Sequence, residues 1–119
     1  MGTKERRQRE VADRERFFLD TARELIREQG LLNLQMSRIA EKSEYAVGTL
    51  YQHFSSKEDL LLALTTVMGT EHVELFERVG RWQASSRDRM FAISVADTIF
   101  VRRNTDFFRV AQYSLCAVV

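Results

Sequence analysis

The sequence predicts an all-α fold, and three observations carry the prediction. The 119 residues contain no proline and five glycines, so strong local stops for a helix are scarce. Apolar residues recur at spacings of three and four, the period of a helix that buries one face. Polar clusters such as Lys42-Ser43-Glu44 and the link from Ala84 to Arg87 separate the apolar runs. With 45% hydrophobic residues the chain can bury one moderate core with an appended segment, which excludes a large multi-domain enzyme.

The first sixteen residues set Lys4, Arg6, Arg7, Arg9, Arg14 and Arg16 against Glu5, Glu10, Asp13 and Glu15, and residues 1–13 read as a mobile, slightly basic arm. Phosphate binding is the alternative role for that arm. A first helix follows over 14–29, where Phe18, Ala22, Leu25, Ile26 and Gln29 share a face and Gly30 supplies a positive-φ stop. Asn33 or Gln35 opens a short second helix through Met36, Ile39 and Ala40, ending before Lys42. After a turn, Val47 to Phe54 forms a third helix. Leu50 and Phe54 hold its inner face, leaving Thr49, Tyr51, Gln52 and His53 outward.

Ser55 or Ser56 caps a long fourth helix, with Glu58 and Asp59 in its first turn, where the helix dipole favours negative charge. Its stripe Leu60, Leu61, Leu64, Val67, Met68, Leu75, Phe76 and Val79 passes Gly69, where glycine costs about 1 kcal/mol and permits a bend or break. Two further helices are expected, from Met90 to Val101 and from Asp106 to Val119, the second capped by Asn104 or Thr105. The expected organisation is therefore an arm over 1–13, a three-helix helix-turn-helix domain over 14–62, and the start of a helical regulatory domain over 63–119.

Net charge is +1, so any case for a nucleic-acid partner rests on local arrangement. A single cysteine, Cys116, cannot form an internal disulfide, and no signal-peptide pattern opens the chain, which points to a reducing cytoplasm. No apolar run approaches the roughly 20 residues of a spanning helix, so no membrane partner is expected. Two histidines and one cysteine show no nucleophile motif, phosphate loop or metal-ligand spacing. Hence no catalytic residue, cofactor or metal ligand is nominated, and Glu71, His72 and Glu74 read as an exposed polar face.

The third helix combines an apolar seam with groups suited to phosphates and bases, the mark of a DNA-recognition helix followed by its support helix. Ala22, Gly30, Ile39-Ala40, Gly48-Thr49-Leu50-Tyr51, His53-Phe54, Lys57-Glu58 and Leu60 together resemble the DNA-binding domain of the tetracycline-repressor (TetR) family of bacterial transcriptional regulators. The resemblance covers about residues 14–64, and Asn104 to Val110 is more loosely similar to the family's sixth helix. Three positions depart from the pattern: Glu44 replaces the usual turn glycine, Ala46 a capping serine, and Leu34 a threonine or serine. A lost N-cap costs about 1 kcal/mol, which packing from Tyr45 is expected to offset.

The resemblance implies a recognition helix in the major groove, with Val47, Gly48 and Thr49 closest to the bases and Gln52 suited to pairing with adenine. Tyr51, His53 and Lys57 match the family's phosphate-contacting positions, with Gln35 and Ser37 on the flanking strand and Arg38 as a helper. It further implies a cytoplasmic homodimer, responsive to a small-molecule effector, that represses from a palindromic double-stranded DNA operator. Met68, Trp82, Phe91, Phe100, Phe107 and Tyr113 are the candidate effector-pocket lining, alongside a core role for most of them. Relatives continue for several more helices, so the chain is expected to be truncated. The competing reading is a helical protein–protein interaction module without DNA binding; the polar set Thr49, Gln52, His53 and Lys57 argues against it, since such a helix would carry a row of apolar anchors.

Overall fold

A computed structural model describes residues 2–118, apart from the side chains at positions 107, 114, 115, 117 and 118. The elements are α1 (Thr3–Gln29), a 3₁₀ turn (Leu31–Asn33), α2 (Met36–Ser43), α3 (Val47–His53), α4 (Lys57–Gly80), α5 (Ser86–Arg103) and α6 (Thr105–Val118). No strand occurs among the described residues. The chain divides within α4 into two compact units, Met1–Ala63 and Leu64–Val119.

In the first unit, α1 begins eleven residues before its expected start at 14, so residues 3–13 are helical and exposed. No glycine or proline interrupts the segment, and i,i+4 pairs such as Arg6 with Glu10 at 3.5 Å suit a solvated helix. Phe18, Ala22, Leu25 and Ile26 are buried at the expected spacing. Gly30 closes α1 with its amide on the Ile26 carbonyl at 2.8 Å. Its φ of 85° and ψ of 156° lie in a region open essentially to glycine alone.

The 3₁₀ turn is an element that the apolar period does not show, because three residues carry no readable period. It leads buried Leu34 into α2, which Gln35 caps without a side-chain hydrogen bond. The helix continues to Ser43, through the polar cluster where a stop was expected. Lys42 explains the continuation, for its ammonium reaches Glu28 at 3.2 Å and Glu24 at 3.5 Å on α1. Partial desolvation lowers the Lys42 pKa, but the hydrogen bond to Glu28 and the charges of both glutamates outweigh it and raise the pKa above its ordinary value. Packing of α2 against α1 and α3 buries Ile39, Ala40, Leu50 and Phe54, and the first turns of α4 add Leu60 and Leu61.

Within the second unit α4 continues unbroken through Gly69. Leu64, Met68, Phe100 and Val110 are buried. His72, expected on an exposed polar face, instead lies four residues from both Met68 and Phe76 on the apolar stripe. Its ring stacks on Phe100 at 4.2 Å and 5°, and Nε2 meets the Asp97 carboxylate at 2.9 Å. The helix α5 starts before its apolar run because Ser85 caps it, accepting from the Asp88 amide at 3.1 Å. Cys116 is exposed on α6. Among the described residues no helix is long and apolar enough to cross a membrane.

Candidate nucleic-acid interface

The turn between α2 and α3 sets the direction in which α3 leaves. Glu44 adopts the left-handed conformation (φ 61°, ψ 35°), and its amide and that of Tyr45 bond to the carbonyls of Glu41 (3.1 Å) and Ala40 (3.0 Å). Tyr45 packs edge-on against Phe18 at 5.2 Å and against Phe17 at 6.5 Å, with the Arg14 guanidinium 5.6 Å over its ring. This aromatic contact anchors the turn to α1 where neither a glycine nor a capping side chain assists. Ala46 precedes α3 without a side-chain cap, as its chemistry requires.

Leu50 is fully buried and faces inward, while Val47, Gly48, Tyr51 and Gln52 are exposed and Thr49 is half-buried. The expectation that His53 joins the outward set is corrected. Its side chain is only 9% exposed, Nδ1 lies 3.2 Å from the Glu15 carboxylate, and the ring tilts against Phe18 at 5.7 Å. Position 53 follows Leu50 by three and so falls on the same face, where His53 fastens α3 to α1. Lys57 is half-buried too, and its ammonium donates to the Leu34 carbonyl at 3.2 Å, tying the start of α4 to the approach to α2.

Ser56 caps α4 by accepting from the Asp59 amide at 3.1 Å, while the Asp59 carboxylate accepts from the Ser55 hydroxyl at 2.7 Å. At the N-terminus of α2, Gln35 and Ser37 are exposed. Arg38 is held by Gln29 through a 2.6 Å bond from Nη1 to Oε1, and Gln29, Asn33, Gln35 and Arg38 line a shallow polar recess. The exposed set therefore offers an amide at Gln52, a phenol at Tyr51, a hydroxyl at Ser37 and a bare backbone at Gly48. Tyr45 packs at the turn as expected, whereas Glu15 and Arg14, which also help to position this set, were not singled out by periodicity; their contacts cross between helices and leave no local trace.

A family profile described as bacterial regulatory proteins, tetR family, matches residues 18–64. Residues 18–64 are therefore a domain of the tetR family. Among curated relatives is the fatty acid metabolism regulator protein of Bacillus subtilis (strain 168), 32% identical over 73 residues, which are 61% of this chain and 38% of that protein. A TetR/AcrR-family transcriptional regulator from Thermobifida fusca YX-ER1 superposes with a TM-score of 0.72 at 30% identity, covering 80% of this chain and 52% of its own. A TetR-like transcriptional regulator from Rhodococcus sp. RHA1 gives 0.70 at 25% identity, over 88% and 61%. The chain thus spans less than two thirds of the length of each.

Among the described residues, those nominated for an effector pocket fall in different environments. Trp82 and Phe91 line an open apolar groove of ≈ 370 Å³ with Asp88, Ala92, Val95, Ala96 and Ile99. Met68 and Phe100 are buried instead, and Tyr113 is half-buried on α6. The Phe107 side chain lies outside the described residues.

Proposed function

We propose that this chain is a cytoplasmic, ligand-responsive transcriptional repressor that reads double-stranded DNA as a homodimer on a palindromic operator. The observation that carries the reading is the division of α3, whose Leu50 and His53 are fixed inward while Val47, Gly48, Tyr51 and Gln52 stand open. An α-helix fits the major groove, and in this motif the first residues of the recognition helix meet base edges. Gln52 then pairs with an adenine through its amide, Thr49 and Val47 meet a thymine methyl, and Gly48 lets the backbone approach. Tyr51, with Gln35 and Ser37 from α2, contacts phosphates and sets register.

Lys57 keeps a role at the phosphates as well as its internal contact, whereas His53 acts by holding α3 against α1. The 3.2 Å bond from Lys57 to Leu34 leaves two ammonium protons for an anion at the start of α4. In the dimer, two copies of α3 enter successive major grooves about 34 to 36 Å apart. A small molecule held by the second unit favours a state in which α4 has shifted and that spacing is lost, which releases the DNA.

The test is a titration against duplex from upstream of the chain's own gene, at several salt concentrations, with random duplex as competitor. Competitor-resistant binding that weakens with salt is expected. Tyr51→Ala should weaken binding to all sequences alike, whereas Gln52→Ala should relax preference at one base pair by about 1–3 kcal/mol. Binding no tighter than to random duplex would reject the operator reading for the chain as it stands.

A further inference from the structure

The stripe by which α1 packs does not end where the core ends. Phe18, Ala22, Leu25 and Ile26 mark its inward face, and steps of three and four back from Phe18 reach Glu15, Val11, Gln8, Arg7 and Lys4. Contacts place α3 across this face: Phe18 and Glu15 meet His53, while Phe18 and Arg14 meet Tyr45 just before α3 starts. The bonds from α2, Lys42 to Glu28 and Arg38 to Gln29, fall on the other half of α1. Along α1 there thus come α2, then α3, then the exposed residues 3–13, which carry Lys4 about 15 Å beyond Arg14.

Residues 3–13 hold four cations against three acids, close to balance, but the charges are sorted by face. Lys4 and Arg7 stand on the face in line with α3, and no acid shares it before Glu15, whose carboxylate is taken by His53. The residues one turn from them, Thr3, Gln8 and Val11, are uncharged, and among the described residues neither Lys4 nor Arg7 has an ion-pair partner. Glu10 lies off this face and pairs with Arg6 at 3.5 Å. A helix that needs only solvation gains from i,i+4 pairs on every side, whereas this one keeps a single sign on the side of α3.

We propose that Lys4 and Arg7 clamp the sugar–phosphate backbone beside the groove that α3 occupies, on the strand opposite the one met by Gln35 and Ser37. Two phosphate strands border a major groove, and α2 and the overhang of α1 stand on opposite sides of α3. Each cation neutralises one phosphate, and the unbroken helix holds both in register with the Arg14–Phe18 contact. The inference rests on the DNA-binding reading above and adds a second grip to it.

The test titrates the whole chain against the upstream duplex and against random duplex over a range of salt. Lys4→Gln combined with Arg7→Gln should lower the slope of log K on log salt by about 1.8 per chain, roughly 0.9 for each phosphate given up. The ratio of upstream to random affinity should stay unchanged, because phosphate contacts position and do not specify. Arg6→Gln combined with Arg9→Gln removes the same charge from the outer side of the same helix, and should change the slope less than half as much. Circular dichroism of both variants should match the unaltered chain, and ethylation interference should lose phosphate positions in the first variant alone. An unchanged slope in the first variant, or equal changes in the two, overturns the proposal; competitor-resistant binding in that case leaves the operator reading standing. If the unaltered chain holds both duplexes alike, the operator reading fails, and the slopes on random duplex still decide the clamp.

Discussion

Gly48 weakens the helix that it occupies and gains nothing from the protein in exchange. Its φ is not positive, and beyond the helix's own backbone a Cβ built there would meet no atom within 4 Å. Gly48→Ala should therefore stabilise the chain by about 0.5–1 kcal/mol, read from a thermal or urea melt. If α3 lies in the major groove, the same methyl holds the backbone off the bases, and affinity for the operator should fall. A stabilised variant with undiminished affinity would show that the open backbone is not used. Glu44 presents the reverse case, a side chain where glycine fits better: at φ 61° the left-handed conformation costs a non-glycine residue roughly 1–2 kcal/mol. Glu44→Gly should raise the melting temperature, less whatever the freer unfolded chain takes back.

Side-chain direction on α3 was legible for Leu50, Tyr51 and Gln52, whose inward or outward placement follows from helical spacing alone. His53 was not, because a buried helix face is at least about 100° wide and admits a polar residue that finds a partner. That partner, Glu15, stands 38 residues earlier on another helix.

The element α3 has seven residues and no capping side chain, too short to persist without tertiary contacts. Ala46→Ser should supply the missing acceptor for an amide of the first turn and stabilise by about 1 kcal/mol in equilibrium unfolding. No change would mean that the turn geometry set by Glu44 and Tyr45 holds residue 46 out of position for capping. All six α-helices were legible in the sequence, but several of their ends were not. Apolar periodicity marks only the buried part of a helix, so α1 and α5 were read short at their solvated starts. Charge pairs extend α1, and the Ser85 cap extends α5. The end of α2 was read short for a related reason: Lys42 looks like a loop residue until its partners Glu24 and Glu28 are brought beside it.

On the scale of the whole molecule, the two units are unequally filled. Among the described residues, thirteen buried hydrophobic residues precede Leu64, against Leu64, Met68, Phe100 and Val110 in the second unit. Backbone amides of α5 should accordingly exchange with solvent faster than those of the buried face of α1, by a margin that hydrogen-exchange mass spectrometry resolves. Equal protection would mean that self-association or another contact holds the second unit closed. The resemblance that identified the domain lies almost wholly in the first unit, since a recognition helix demands particular residues at particular spacings. A regulatory helix demands only apolar character, so its partners are not written in its pattern.

The position of Cys116 has a practical consequence. An exposed, singular thiol on α6 accepts one dye per chain without any engineering, and the chain's one indole, Trp82, belongs to the same unit. The two form an energy-transfer ruler inside the second unit, so candidate small molecules can be screened optically by whether they change its reading.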